Sequence, residues 1–256
     1  MSRPIITLTT DFGTESPYVA IMKGVILSRC PEANLVDLSH SIPAQDIVHA
    51  AYFLRDALCW FPPDSIHLAV VDPGVGTARL PLCVTIDERY VLCPDNGIWT
   101  LIAFQTPPVV RSITNKSYWL SEVSHTFHGR DLFAPCAAAL ANGISPERLG
   151  PVIHHWMSVK TPELRHEAER IHGEVVFVDR FGNLVTNIPG YELPGDIKQI
   201  QVGEHLIKKF VQTYGQAEPG ELISLVSSSG YLEIAQVNGN AALTLAAGTG
   251  QQLIVK

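Results

Sequence analysis

"PIITLTTDFGTESPYVAIMKGVILSRCP", residues 4–31, contains one full step of alternating structure. Its first seven residues are apolar or β-branched, the signature of a short strand. A polar turn runs from Asp11 to Glu15. Ser16 then reads as a helix N-cap and Pro17 as the first helical residue, where a missing N–H costs nothing. Pro31 ends the helix. The pattern repeats outward. "NLVDLS" (34–39) is a second strand, and "SIHLAVV" (65–71) a third. Between them "DIVHAAYFLRDALCWF" (46–61) places Ile47, Ala50, Ala51, Leu54 and Leu58 on one helical face, capped by Asp46. "LCVTID" (82–87) and "RYVLC" (89–93) are further strands. "DLFAPCAAALANG" (131–143) is a helix that stops at Gly143, with Pro135 limiting where it starts.

Strands alternating with helices predict a Rossmann-like α/β domain with a mostly parallel sheet, over residues 1–160. Right-handed crossovers bring Asp11, the Asp37–Ser39–His40 stretch and Asp72 to one sheet edge, where open α/β sheets bind ligands. Composition changes at "VKTPELRHEAER" (159–170), and residues 161–171 are expected to connect two domains. From 172 to 256, short β-like runs such as "GEVVFVD", "NLVTNI", "ELISLV" and "YLEIAQV" are punctuated by Gly, Pro and Asn. They predict a smaller antiparallel β-barrel or sandwich.

The 256 residues carry a net charge of -7, with 46% apolar and 17% charged side chains. No basic footprint for nucleic acid exists, and no apolar run is long enough to span a bilayer. Five cysteines without a C-x-x-C pair, and an N-terminal stretch without signal-peptide features, point to the cytoplasm. The acidic balance tolerates a cationic small molecule as partner.

The turn "VVDPGVGTAR" (70–79) follows the third strand. Its glycines suggest a phosphate cradle, but the lysine and hydroxyl of a P-loop are missing, and the first strand lacks the dinucleotide fingerprint. That glycine-poor first turn also weighs against a methyltransferase. Asp72 and Arg79 are then either a paired surface turn or part of a site. "HTFHGRDLFAP" (125–135) supplies His125 and His128, spaced as metal ligands can be, yet no third ligand has a persuasive spacing, so no metal is expected. An Asp, an Arg and a His at one sheet edge can orient water and tune its protonation. Asp11 suits either a ribose diol or a turn cap, and Asn183 either an adenine edge or its own turn. The serines at 227–229 suit ligand or hairpin equally. No G-x-S-x-G elbow is present, which argues against an ordinary serine hydrolase.

Seven segments in order, "TLTTDFGTESPYVAIMKGVI", "VDLSHSIPAQDI", "FPPDSIHLAVVDPGVGTAR", "CPDNGIW", "TFHGRDLFAP", "DRFGNLVTNI" and "SSSGYLEIAQVNGNAA", resemble the S-adenosyl-L-methionine hydroxide adenosyltransferases, relatives of the halide-using enzymes. The resemblance runs from about residue 5 to 256. It implies hydrolysis of S-adenosyl-L-methionine to adenosine and L-methionine by attack at ribose C5′, without a cofactor. It assigns Asp72, Arg79 and His128 to catalysis and Asp11 to the ribose hydroxyls. Asn183 is assigned to the adenine side, with Tyr214, Ser228, Glu233 and the backbone near Val237 as further substrate contacts. It also implies a homotrimer with sites at subunit interfaces. Halide-using relatives carry Tyr and a hydroxyl residue where this chain has Asp72 and Val75, and Tyr and Ser where it has His128 and Gly129. That difference favours water over halide. Ser16 stands where family members often carry an acidic residue. The alternatives are a non-catalytic adenosine or S-adenosylmethionine binder and a halogenase; Asp72, Arg79 and His128 together speak against binding alone.

Overall fold

In the computed structural model, which describes residues 3–168 and 170–256, the chain divides into two units, 1–160 and 161–256. In the first, β1 (Ile5–Thr10), β2 (Asn34–Ser39), β3 (Ile66–Val70), β4 (Pro81–Ile86), β5 (Arg89–Pro94) and β6 (Val109–Ser112) form one sheet of order β2-β1-β3-β5-β4-β6. The β1–β2, β1–β3 and β3–β5 pairs are parallel, while β4 runs antiparallel to both β5 and β6. The sheet is therefore mixed and mostly parallel. The reversal at β4 follows from the tight turn 87–88, which joins it to β5 as a hairpin with both residues at positive φ.

Alternation along β3 separates two hydrophobic layers. Ile66, Leu68 and Val70 join Met22 and Ile26 of α1 (Tyr18–Arg29) and the alanines of α3 (Ala134–Ala141). Ala69 and Val71 join Ala50, Leu54 and Leu58 of α2 (Ile47–Leu58). Each fully buried Met, Leu or Ile contributes about 1.5–3 kcal/mol. Two helix starts differ in how they are made. Asp46 caps α2 as expected, its carboxylate accepting His49 N–H at 2.8 Å. At α1 the cap is Pro17, not Ser16, and no side chain satisfies the helix start. The proline ring already holds φ at −74°, so the helix begins without a polar cap.

Gly129–Phe133 forms a π-helical turn that runs into α3. Pro135 has no N–H for the carbonyl of Asp131, and that carbonyl instead accepts Leu120 N–H at 2.9 Å. That outside donor lets a proline enter a helix without an orphaned carbonyl. Gly143, at φ +84°, follows the last turn, as read from the sequence. Cys30, Cys83, Cys93 and Cys136 are buried and Cys59 is exposed; all five are free thiols. Burial pushes Cys83 and Cys136 up to about 12, which leaves them unreactive.

In the second unit, β7 (Arg165–Glu167), β8 (Arg170–Val178), β9 (Leu184–Pro189), β10 (Ile200–Val202), β11 (His205–Ile207), β12 (Leu222–Val226), β13 (Tyr231–Gln236) and β14 (Gln252–Val255) form an antiparallel sheet. Its order is β11-β10-β14-β8-β9-β13-β12, with β7 against β8. The two ends of that order approach each other. Phe210, three residues beyond β11, bridges Ser224 in β12, so the sheet is a nearly closed barrel around Val175, Leu184, Ile234 and Val255. Residues 161–171, expected as a connector, carry β7 and the start of β8; Glu169 lies outside the described residues. No helix among the described residues is long and apolar enough to cross a membrane.

Candidate active site

The parallel register aligns the carboxyl ends of β1, β2 and β3: Thr9 pairs with Ser39, and Thr10 with Val70. Asp11 and Asp72 therefore leave neighbouring strands at one edge, as the alternation predicted. Asp37 and Ser39 belong to β2 itself, and only His40 follows it.

The 72–79 turn closes on itself. Arg79 donates through Nε to Asp72 Oδ1 at 3.0 Å and through Nη2 to Asp72 Oδ2. The same Nη2 lies 2.9 Å from His128 Nδ1. The Asp72 and Arg79 side chains are only 5% and 9% exposed, so this is no solvated surface pair. The Arg79 guanidinium sits over the Phe133 ring, 5.5 Å from its centroid. A guanidinium only donates, so His128 Nδ1 carries the lone pair and Nε2 carries the proton. Burial first, and the Arg79 charge second, lower the His128 pKa from 6.5. The result is a neutral imidazole fixed in one tautomer.

Gly76 links the two halves of this cluster. It adopts φ +79°, and a Cβ there would collide with the His125 carbonyl oxygen. The close approach the glycine permits is thus to the segment that carries His128. Phe12, Tyr18 and Phe127 meet edge to face, with centroids 5.9, 6.0 and 5.2 Å apart. Phe12 follows Asp11 and Phe127 precedes His128, so this aromatic wall flanks the polar groups. Asp11 accepts Gln45 N–H on Oδ2 at 2.9 Å. Asp131 is fully buried beside the cluster, and its carboxylate is taken by Arg130 and Ser124 N–H. Among the described residues no three His, Cys, Asp or Glu side chains gather as a metal requires.

In the second unit a cleft of about 490 Å³ is lined by Phe181, Asn183, Tyr214, Val237 and Asn238. The turn before β9 is satisfied by Asp179, whose Oδ1 accepts both Phe181 N–H and Asn183 N–H at 2.8 Å. Asn183 is tied into the same turn through its side chain too, Nδ2 donating to Asp179 Oδ2 at 2.9 Å. Tyr214 donates its hydroxyl to Glu233 Oε1 at 2.7 Å. Burial raises the Glu233 pKa, and it raises that of Tyr214 as well. Ser228 is apart from this group, exposed in the β12–β13 turn at the other end of the hairpin from Val237. Sequence reasoning passed over Phe133, Gln45 and Thr10. Phe133 and Gln45 carry no local signal, whereas Thr10 adjoins Asp11 at a strand end.

A carboxylate, a guanidinium and a neutral imidazole at the open edge of a mostly parallel sheet define an enzyme of the α/β class that acts on a small molecule. The chain belongs to the SAM hydroxide adenosyltransferase family: the family's N-terminal domain matches residues 6–150 and its C-terminal domain residues 173–254. It is 40% identical over 248 residues to the (R)-S-adenosyl-L-methionine hydrolase of Thermus thermophilus, covering 93% of this chain and 94% of that protein. The enzyme of the same name from Salinispora tropica is 36% identical, with 98% and 97% covered. A fluorinase of an Actinoplanes species is more distant, at 25% over 91% of each chain. The crystal structure of an uncharacterized conserved protein from Thermotoga maritima superposes with a TM-score of 0.92 at 34% identity, covering 98% of this chain and 99% of that one.

Proposed function

We propose that this chain hydrolyses S-adenosyl-L-methionine by attack of water or hydroxide at ribose C5′, giving adenosine and L-methionine. The observation that carries the reading is the Asp72–Arg79–His128 cluster in a chain of this family. An oxygen lone pair forms the C5′–O bond as the C5′–S bond breaks. The sulfur keeps that bonding pair and leaves as a neutral thioether, so the leaving group needs no proton. The catalytic demand falls on the nucleophile, which must be oriented, partly stripped of water and relieved of one proton.

The cluster suits that demand. Among the described residues no hydrogen bond takes Arg79 Nη1, and His128 Nε2 carries a proton. Both groups donate, and donors stabilise an oxygen that is acquiring hydroxide character. Asp72 is the acceptor of the set and takes the proton that the nucleophile loses. Its negative charge opposes an incoming halide, which favours hydrolysis over the fluorinase reaction. Asp11 binds the ribose hydroxyls, Asn183 reads adenine, and Tyr214, Glu233 and the Val237 backbone complete the contacts beside Asn183, while Ser228 meets the substrate apart from them. The Phe12–Tyr18–Phe127 wall keeps bulk water from the reacting carbon. No cofactor enters this scheme. A homotrimer with its sites at subunit interfaces and a cytoplasmic location, which suits five free thiols, belong to the same proposal.

Incubation with S-adenosyl-L-methionine in 18O-labelled water, followed by mass spectrometry, tests it. Label is expected in the adenosine 5′-hydroxyl. S-adenosylhomocysteine as product, a 5′-halo-adenosine in the presence of halide, or binding without turnover would each refute it.

The pH dependence follows from the His128 tautomer. Protonation at Nδ1 would set an N–H against the Arg79 Nη2–H and end their hydrogen bond. Activity is therefore present while His128 is neutral and is lost as pH falls through its folded pKa. Because that pKa is lowered, the acid limb of kcat/KM is expected to have its midpoint below 6.5. A midpoint above that value in the pH–rate profile would contradict the assignment.

A further inference from the structure

Asp11 sits in a hydrogen-bonded framework that the chemical step does not use. Lys23 Nζ lies 2.6 Å from Asp37 Oδ2, and His40 Nε2 lies 2.9 Å from Asp37 Oδ1. His40 Nδ1 in turn lies 2.9 Å from the Thr10 hydroxyl. The Nε2–Asp37 contact is one of charge and lies outside hydrogen-bond geometry, so the hydrogen bond of the His40 ring is the one at Nδ1. The Thr10 hydroxyl shares that hydrogen bond with His40 Nδ1, and its oxygen also accepts Phe12 N–H at 3.3 Å. The residue types are those of a nucleophile–base–acid triad. Thr10, however, is fully buried and His40 is 6% exposed, so no substrate reaches the hydroxyl. The His40–Thr10 pair, with Asp37 beside it, holds something in place instead.

What it holds is the turn that carries Asp11. Thr10 is bound to the His40 ring, and Gly13 N–H donates to the His40 carbonyl at 2.8 Å. Between them, Asp11 Oδ2 receives the Gln45 N–H at 2.9 Å. Gln45 is at φ 65°, a left-handed conformation that a residue with a side chain keeps only where its surroundings impose it. Residues 10–13 are thus pinned on both sides of Asp11, while Asp11 Oδ1 enters none of these bonds. A diol presents two hydroxyls in fixed geometry, and reading both requires a carboxylate whose plane does not rotate.

We infer that His40 is a positioning residue for substrate recognition, acting through Thr10 and the Gly13 backbone to fix the Asp11 carboxylate against a ribose diol. The inference rests on the preceding assignment of Asp11 to the ribose. It extends that assignment by naming the residues that confer selectivity for ribose over deoxyribose.

Calorimetric titration of the full-length protein with adenosine, 2′-deoxyadenosine and 3′-deoxyadenosine tests it, with S-adenosylmethionine turnover measured alongside. The wild type is expected to favour adenosine over each deoxy analogue by about tenfold or more, the scale of one well-made hydrogen bond to a charged group. Thr10→Val keeps the branched shape and removes the hydroxyl. It is expected to reduce that preference to about threefold or less and to raise KM much more than it lowers kcat. His40→Ala is expected to act in the same direction. His40→Asn, whose amide oxygen falls near the position of Nδ1, is expected to restore part of the preference.

A folded Thr10→Val protein that keeps the wild-type preference overturns the inference, whether or not His40→Ala folds. Equal weakening toward all three nucleosides also overturns it, because a purely structural defect does not distinguish them. A wild type that turns substrate over but shows no preference for the ribose overturns this inference and leaves the hydrolase reading standing. A wild type with neither turnover nor adenosine binding removes the hydrolase reading and this inference with it.

Discussion

Asp72→Asn is expected to lower kcat by about 100- to 10,000-fold, the range of a lost general base, while adenosine affinity stays within about threefold. The substitution keeps the size of the side chain and one carbonyl acceptor, so one of the two Arg79 hydrogen bonds survives. It removes the negative charge on which the guanidinium is docked and the acceptor for the nucleophile's proton. The amide's own N–H groups then face the Arg79 donors. That conflict frees Nη2 to shift and loosens its contact with His128 Nδ1. One change thus disturbs all three members of the cluster, and double variants with Arg79 or His128 should be far from additive. Adenosine binding is spared because Asp11 is held by other partners. Single-turnover kinetics and product calorimetry check the two halves separately. Full activity in a folded Asp72→Asn enzyme would remove Asp72 from the mechanism.

The second large effect is expected at a residue with no side chain. Gly76→Ala asks a non-glycine residue to hold φ +79° and places a methyl group on the His125 carbonyl oxygen. The backbone conformation alone costs about 1–2 kcal/mol, and relief of the collision requires main-chain movement, because the obstacle is a carbonyl and not a flexible side chain. The expected loss of stability is about 2 kcal/mol or more in denaturant unfolding. Turnover should fall as well, since the movement separates the loop that carries Asp72 and Arg79 from the segment that carries His128. Gly74→Ala is the control. A Cβ at Gly74 meets its nearest neighbour, Arg79 Cγ, at 3.5 Å, an ordinary contact. If Gly76→Ala unfolds and turns over like the Gly74 variant, the close approach to His125 has no part in organising the site.

Much of the fold was legible along the chain because local rules and tertiary packing agree there. The apolar run from Ile5, the Asp46 cap and the Gly143 stop each behave as their residue types dictate. Where prediction slipped, a backbone constraint or a partner in space had changed the local balance. Ser16 lost the cap to Pro17, whose ring fixes φ, and residues 165–167 of the charged stretch became strand because β8 offered them hydrogen-bonding partners. The reversal of β4 was also beyond periodicity, which reports that a segment is a strand without reporting its direction.

For the site, sequence by itself determined which groups stand at strand ends, since alternating βα steps force Asp11 and Asp72 to the same edge, and ordered motifs tied them to Arg79 and His128. Tertiary structure alone decided what those groups are. Burial turned an Asp–Arg turn into a docked guanidinium, and a donor with no capacity to accept fixed the His128 tautomer. It also joined Thr10 to His40 beside Asp11, a hydrogen bond between residues thirty positions apart. The physical reason is the same in each case: hydrogen-bond direction, exposure and charge stabilisation are properties of an environment, and only the folded chain supplies one.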